Sequence, residues 1–356
     1  MEAKARLLSL DVFRGLTIAS MNLVNNPGSE PVYKQLDHAE WNGWTFTDTV
    51  FPFFIWMAGL SMTLSFAKRV EQGADRGKLF LHVLRRSILI YAVGLFLAGF
   101  PYFPWHRIRY SGVLQRIAIC YLIAGTIFLF TRVRGQVLWT IFFLVIYAAL
   151  MRGNYNYDTN FARYIDGIVL KGHMWSHTKT WDPEGVVSTL PAIASALFGV
   201  LFGHLMRSKL EPAVKTVWML IAGEALVGLG MILNYWIPIN KNLWTTSYSI
   251  FMAGLAAIVF GILYWIIDVQ GWKSWTKPAA IYGMNAITIF ALAGITGRLL
   301  GLIKIGNQSL QHFIYSRVFA PLARPINASL LFAIAFVLAM YAVAYLMYRR
   351  RWFVRL

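Results

Sequence analysis

Positions 38 to 48 read His38-Ala39-Glu40-Trp41-Asn42-Gly43-Trp44-Thr45-Phe46-Thr47-Asp48, and a long apolar run follows at once. An imidazole, an amide, two indoles and a carboxylate therefore stand at the mouth of a prospective membrane helix. Imidazole is the side chain suited to moving protons, or to carrying an acyl group, near neutral pH. A carboxylate beside it can fix its tautomer or hold its charge. Asp48 also has a simpler use, because Thr45 and Asp48 have the T-x-x-D spacing of a capping box.

The elements that must hold this mouth are membrane helices. The 356 residues are 58% hydrophobic and 13% charged, with 14 Trp and 25 Phe. An ordinary soluble domain carries about a quarter charged residues. Apolar runs near the roughly 20 residues needed to cross a bilayer recur throughout. They predict an all-α, polytopic helical bundle of about ten transmembrane helices, forming a single membrane domain over 1–356. The expected spans are about 8–25, 45–67, 80–100, 111–130, 136–151, 186–206, 215–237, 245–268, 279–299 and 328–348. Lys and Arg are about three times denser in the turns on one side, so both termini are expected in the cytoplasm and His38 on the far side. The longest external loop is 151–185. The first segment contains Asp11 and Arg14 and reads as a retained helix, not a signal peptide. The net charge of +18 does not point to nucleic acid, because the basic residues sit at helix ends.

Polar groups inside the spans are the next candidates. Asp11, Arg14, Asn22 and Asn25 share one face of the first helix, and such a face should turn into the bundle or a wet cavity. Asp11 and Arg14 can also simply pair. Pro52 falls in the second turn of the next helix and should kink it or loosen its start. Arg116, inside an apolar segment, needs a partner or an anionic ligand. His173 and His177 have the i,i+4 spacing of a metal pair, with Asp182 and Glu184 near in sequence. The H-E-x-x-H glutamate and a defined third ligand are missing, so no metal is expected. Cys120 is alone and reads as packing.

Nine pieces, in order, carry a family resemblance: Arg6-Leu7-Leu8-Ser9-Leu10-Asp11-Val12-Phe13-Arg14-Gly15, Val24-Asn25, His38-Ala39 with Trp41-Asn42-Gly43, and Asp48 with Val50-Phe51-Pro52. Then come Gly112-Val113-Leu114-Gln115-Arg116, Tyr164-Ile165-Asp166, Asp182-Pro183-Glu184-Gly185, Asn240-Lys241-Asn242-Leu243-Trp244 and Gly283-Met284-Asn285. Together they resemble the heparan-α-glucosaminide N-acetyltransferase family and its bacterial relatives. The resemblance implies acetyl transfer from cytosolic acetyl-CoA to an amino sugar across the membrane, with the family's active-site histidine at His38. The loop 151–185 is shorter than in the lysosomal member and lacks its cysteines, which favours a smaller glucosamine-type acceptor.

On that resemblance His38 is either the base that takes the amine's proton or the carrier of the acetyl group. Asp48 and Asn25 complete the catalytic set. Arg14, Arg116, Gln115 and Asn285 are the expected acetyl-CoA contacts. Asn42, Trp41, Trp244, Asn242 and Glu184 are the expected sugar contacts, although indoles at a membrane interface are often anchors. The implied setting is a bacterial inner membrane, with a homodimer as the family's habit. The competing reading is a transporter of amino sugars or related solutes, since broken helices and intramembrane polar residues also mark transport sites.

Overall fold

The computed structural model describes residues 7–354, so Arg6, the first residue of the leading motif, lies outside them. The helices are α1 (Leu8–Asn25), α2 (Phe46–Glu71), α3 (Arg76–Gly99), α4 (Val113–Phe130), α5 (Val133–Met151) and α6 (Phe161–Val169). They continue with α7 (Thr189–Arg207), α8 (Pro212–Leu233), α9 (Thr246–Tyr264), α10 (Thr276–Met284), α11 (Ala286–Leu302), α12 (Leu310–Ile314) and α13 (Pro325–Arg349). A π-helical turn, Trp265–Val269, prolongs α9. Strands β1 (Lys304–Ile305) and β2 (Gln308–Ser309) form one small antiparallel hairpin. Among the described residues eight helices are long and apolar enough to cross a membrane, or nine if the bent pair α10 and α11 is one span. The architecture is all-α and polytopic as expected, with fewer such helices than the ten expected: α1, which carries Asp11, Arg14, Asn22 and Asn25, is not among them.

The chain divides into two compact units. The first holds the residues up to His38, the short run Thr45–Val50 and everything from Ile266 onward. Here α1 runs along α10. The approach is so close that a Cβ on Gly15 would meet the Ala279 carbonyl at 1.7 Å, and one on Gly283 the Asp11 carbonyl at 2.3 Å. Small residues at such crossings let backbones touch where lipid gives helices no hydrophobic reason to associate. Polar side chains add to it. Asn22 donates to the Tyr282 hydroxyl at 2.8 Å, and that hydroxyl donates to the Val337 carbonyl at 3.1 Å. The first turn of α1 is closed from outside the helix, by the Ser9 amide donating to the Asp268 carboxylate at 3.0 Å.

The expected continuous helix over 279–299 is instead broken. The axis turns by 79° between α10 and α11, with Asn285 at the break. An asparagine carboxamide offers the backbone a partner other than the helix ladder. Asn285 uses both ends of it on the segment after α13, donating to the Trp352 carbonyl at 3.0 Å and accepting from the Val354 amide at 3.1 Å.

The second unit holds Ala39–Trp44 and Phe51–Trp265. Its centre is α7 and α9, largely buried. α5 runs along α7 and α8 along α9, each with its outer face exposed. Pro52 leaves α2 unbroken: the bond it cannot donate would reach back to Asp48 in the first turns, where few ladder bonds depend on it. The loop 151–185 is folded, with α6 inside it started by the Asn160 side chain accepting from the Arg163 amide at 2.9 Å.

Candidate active site

In the first unit, Asp48 divides its two oxygens between two tasks. Oδ2 accepts from the Thr45 amide at 3.1 Å and from the Thr45 hydroxyl at 3.2 Å, closing the start of α2. Oδ1 lies 2.6 Å from Nδ1 of His38. Asp48 thus caps α2 with one oxygen and contacts His38 with the other. A carboxylate can only accept, so the contact is made with the proton on Nδ1, and in the neutral imidazole that leaves the lone pair on Nε2. The Asp48 side chain is 1% exposed and that of His38 48%, so a buried acceptor holds a half-exposed base.

The loop before α2 is tied down around this pair. The His38 amide donates to the Asp37 side chain at 2.7 Å, and the Thr45 hydroxyl meets the Asp37 carbonyl at 2.5 Å. The Phe46 amide donates to the Gln35 side chain at 3.0 Å.

Also in this unit, Arg14 forms an i,i+3 ion pair with Asp11 at 3.2 Å and keeps 27% of its side chain exposed. Asn25 is exposed at the end of α1. Asn285, expected against acetyl-CoA, is 2% exposed and has both ends of its carboxamide engaged by the segment 352–354.

In the second unit the Trp41-Asn42-Gly43 run rests on the Asn240–Trp244 turn. The Asn42 side-chain oxygen accepts from Asn240 at 3.2 Å, and the Gly43 amide donates to the Ile239 carbonyl at 2.7 Å. Gly43 has φ +98°, a conformation that glycine adopts without strain. Trp41 donates to the Tyr155 carbonyl at 3.0 Å and meets Tyr157 and Trp181 edge-on. Asn242 is half-buried.

Trp244, expected to stack on a sugar, is 0% exposed. Its indole donates to the Ser195 hydroxyl at 3.1 Å, and Phe51 and Tyr248 stand edge-on to its ring. It is a core residue, and the exposed indole of the segment is Trp44, 42% exposed beside Phe251.

Arg116 is likewise interior, at 1% exposure. It donates to the Gly185 carbonyl at 3.2 Å and to the Ser188 hydroxyl, and its guanidinium lies 5.1 Å from the centre of the Trp244 ring. Nε and Nη1 have no protein partner among the described residues. Gln115 is buried against Gly94 and Gly112. These two residues, expected at acetyl-CoA, are enclosed by protein in this structure.

Sequence reasoning missed Arg109. It makes a two-pronged bond to Asp182, at 2.7 Å through Nε and again through Nη2, and Nη2 also donates to Glu184. Glu184, expected at the sugar, is therefore an ion-pair partner. Burial works against the charge of Arg109, but Glu184 and Asp182 hold it above its ordinary range. Burial raises Asp182 too, but the Arg109 bonds outweigh it and leave its carboxyl below the usual value. Asp166 accepts from the amides of Asp182 and Val186 at 3.2 and 2.9 Å. Burial pushes it up to about 6 despite those bonds. His173 bonds the Ile108 carbonyl through Nδ1 at 2.8 Å and stacks on Tyr110, and His177 lies beside Trp175. In sequence nothing singles Arg109 out from the other basic residues of 101–110, and its carboxylate partners lie far downstream in the Asp182-Pro183-Glu184 run.

The membrane-length helices define a multi-pass membrane protein, with a carboxylate-held, half-exposed histidine ahead of one of them. The chain belongs to the heparan-alpha-glucosaminide N-acetyltransferase family, whose catalytic-region model matches residues 6–238. It is 28% identical over 349 residues to the human heparan-alpha-glucosaminide N-acetyltransferase, covering 80% of this chain and 52% of that protein. The mouse protein of the same name is also 28% identical, with 80% and 53% covered. The chain thus spans about half the length of the curated relatives it matches. The family match includes His38, Asp48, Asn42, Arg116 and Glu184, and ends before the Asn240–Trp244 turn and Asn285.

Proposed function

We propose that this chain is a transmembrane N-acetyltransferase that moves an acetyl group from acetyl-CoA, supplied on the cytoplasmic side, to the amine of a glucosamine-type sugar on the other. The observation that carries the reading is the 2.6 Å contact between Asp48 Oδ1 and His38 Nδ1, on a half-exposed imidazole. An amine must be neutral to attack a thioester. The sugar nitrogen bonds to the thioester carbon, Nε2 of His38 takes a proton from that nitrogen, and the carbon–sulfur bond breaks. The CoA thiolate leaves and is protonated. Asp48 keeps Nδ1 protonated and steadies the imidazolium that forms.

Amide donors are needed for the oxyanion on the thioester oxygen. Asn25 is exposed, and the Asn42 side-chain nitrogen is not used in its bond to Asn240. Arg14, with a quarter of its side chain open, is the cation we assign to the CoA phosphates. The density of Lys and Arg in the turns supports cytoplasmic termini and an inner-membrane setting.

The test uses protein purified into nanodiscs with radiolabelled acetyl-CoA, with and without glucosamine. Wild type is expected to form acetylated sugar. His38→Ala is expected to lower the rate by about 10²–10⁴-fold or more while acetyl-CoA binding persists. Label retained on the protein without acceptor would replace direct transfer by an acetyl-imidazole route. Glucosamine flux into liposomes, with no acetyl-CoA binding, would overturn the enzyme reading in favour of a transporter.

A further inference from the structure

One cavity in the second unit has no part in the chemistry above. It is a groove of roughly 620 Å³ with α5 and α8 as walls and α7 and α9 as floor. All four helices are long and apolar enough to cross the bilayer. The only polar lining residues are Thr140 and Thr246. Both hydroxyls are spent on backbone carbonyls, of Gln136 at 2.8 Å and of Leu144 at 2.9 Å. No donor or acceptor is left for a sugar, a nucleotide or a column of water, so the occupant must be hydrocarbon.

Its length and direction narrow that further. On α5 the lining runs from Val137 to Ala149, about 18 Å of helix at 1.5 Å per residue. That matches one leaflet of a hydrocarbon core about 30 Å thick. The groove reaches the ends of α5 and α8 and the start of α9, at Ala149, Ile237 and Thr246. Ile237 also packs in the cluster that holds Leu243 and Trp41. Two residues on, the Ile239 carbonyl receives the Gly43 amide. One end of the groove, at Ile237, is thus joined through that cluster to Trp41, in the segment Ala39–Trp44 that follows His38 directly in the chain.

Resting on the acetyltransferase reading, we propose that the acceptor is lipid-linked: a glucosamine-type head on a long alkyl or isoprenoid tail. The tail lies in the α5–α8 groove, and the head lies against Ala39–Trp44. Holding the tail replaces a search through solution with a search over one leaflet near one site, which raises the effective concentration of the amine.

The experiment compares hexadecyl β-glucosaminide with free glucosamine, in nanodiscs, for wild type and Ala148→Phe, which fills the groove. Wild type should prefer the hexadecyl substrate by at least about tenfold in kcat/KM. Ala148→Phe should lose most of that preference and keep its rate on free glucosamine and its melting temperature. Equal preference in both proteins would mean that partition into the membrane alone is responsible, and would overturn the proposal.

A diazirine-tailed hexadecyl glucosaminide gives a readout that does not need turnover. Its crosslinks should fall on α5 and α8 and be displaced by unlabelled hexadecyl glucosaminide but not by phospholipid. Displacement by phospholipid would reduce the groove to a bed for bulk lipid. Exclusion of the probe by a second copy, seen as protein–protein crosslinks through α5, would assign the groove to an oligomer contact. Failure of acetylation on both substrates would instead count against the acetyltransferase reading, with the crosslink pattern still deciding the groove.

Discussion

The His38–Asp48 pair in the first unit and the cluster around Arg109 in the second are built in opposite ways. His38 and Asp48 form a single contact with one member open to solvent. Arg109, Asp182 and Glu184, with Asp166 bonded to the Asp182 amide and Arg116 to the Gly185 carbonyl, form a closed set. In the closed set nearly every bond goes to a charge or to the backbone of 182–188, so the groups hold one another and that turn in place. In the pair, one nitrogen is fixed and the other is offered. The carboxylates of the network are answered inside and hold a turn, although Arg116 keeps two nitrogens without a protein partner among the described residues, whereas the pair leaves one imidazole nitrogen on a half-exposed ring.

The sharpest way to break the contrast is Asp48→Asn. The Thr45 amide can only donate, so the asparagine must turn its oxygen to Thr45 and its NH₂ to His38. Nδ1 then becomes the acceptor and the proton moves to Nε2, which is the wrong tautomer for a base. The transfer rate is expected to fall by about 10²–10⁴-fold with the melting temperature nearly unchanged. A lower melting temperature with an unchanged rate would leave Asp48 as a cap alone.

Arg109→Met should do the reverse. It strands Asp182 and Glu184 in the interior and is expected to destabilise by about 3–5 kcal/mol, read by thermal unfolding in detergent. Adding Asp182→Asn and Glu184→Gln should recover much of the loss. Unchanged stability in the single variant would mean that the network is no scaffold.

The smallest effect is one of pH. Burial raises Asp166 from 3.8 to about 6, so the folded protein holds that proton more tightly than the unfolded chain does. Its contribution is therefore full at acid pH and is lost as pH rises through that window, by roughly 2–3 kcal/mol. Asp182, held low by Arg109, acts with the opposite sign below its ordinary value. Melting temperatures between pH 4 and 6.5 should show the decline in wild type and a flatter line in Asp166→Asn. Parallel lines would remove Asp166 as its source.

The spans were legible because an apolar run of membrane length has few other uses. The break at Asn285 was not, since hydropathy averaged over a window passes smoothly across one asparagine. Asp48 was legible twice over, because its spacing from Thr45 announced a cap and its nearness to His38 announced a partner. Sequence gave no means to see that one carboxylate serves both. Trp244 shows the opposite limit: an indole at a helix mouth looks the same whether it anchors, stacks or is buried. Arg116 read as a cation in need of a partner or an anionic ligand, and that it would contact a backbone carbonyl, a serine and an indole face depends on residues distant in sequence, the turn 182–188 and Trp244. Arg109 was hidden by the same cause, its carboxylates lying more than seventy residues downstream.

On the acetyltransferase reading, the double use of Asp48 ties a local fluctuation to reactivity. When the first turn of α2 frays, the Thr45 amide loses its acceptor and the imidazole loses its proton holder in the same event. The hydrogen-exchange rate of that one amide is thus a gauge of how often the histidine is unready. Anything that stiffens the turn, whether a bound acceptor or the lipid around it, would register there before it registered in turnover.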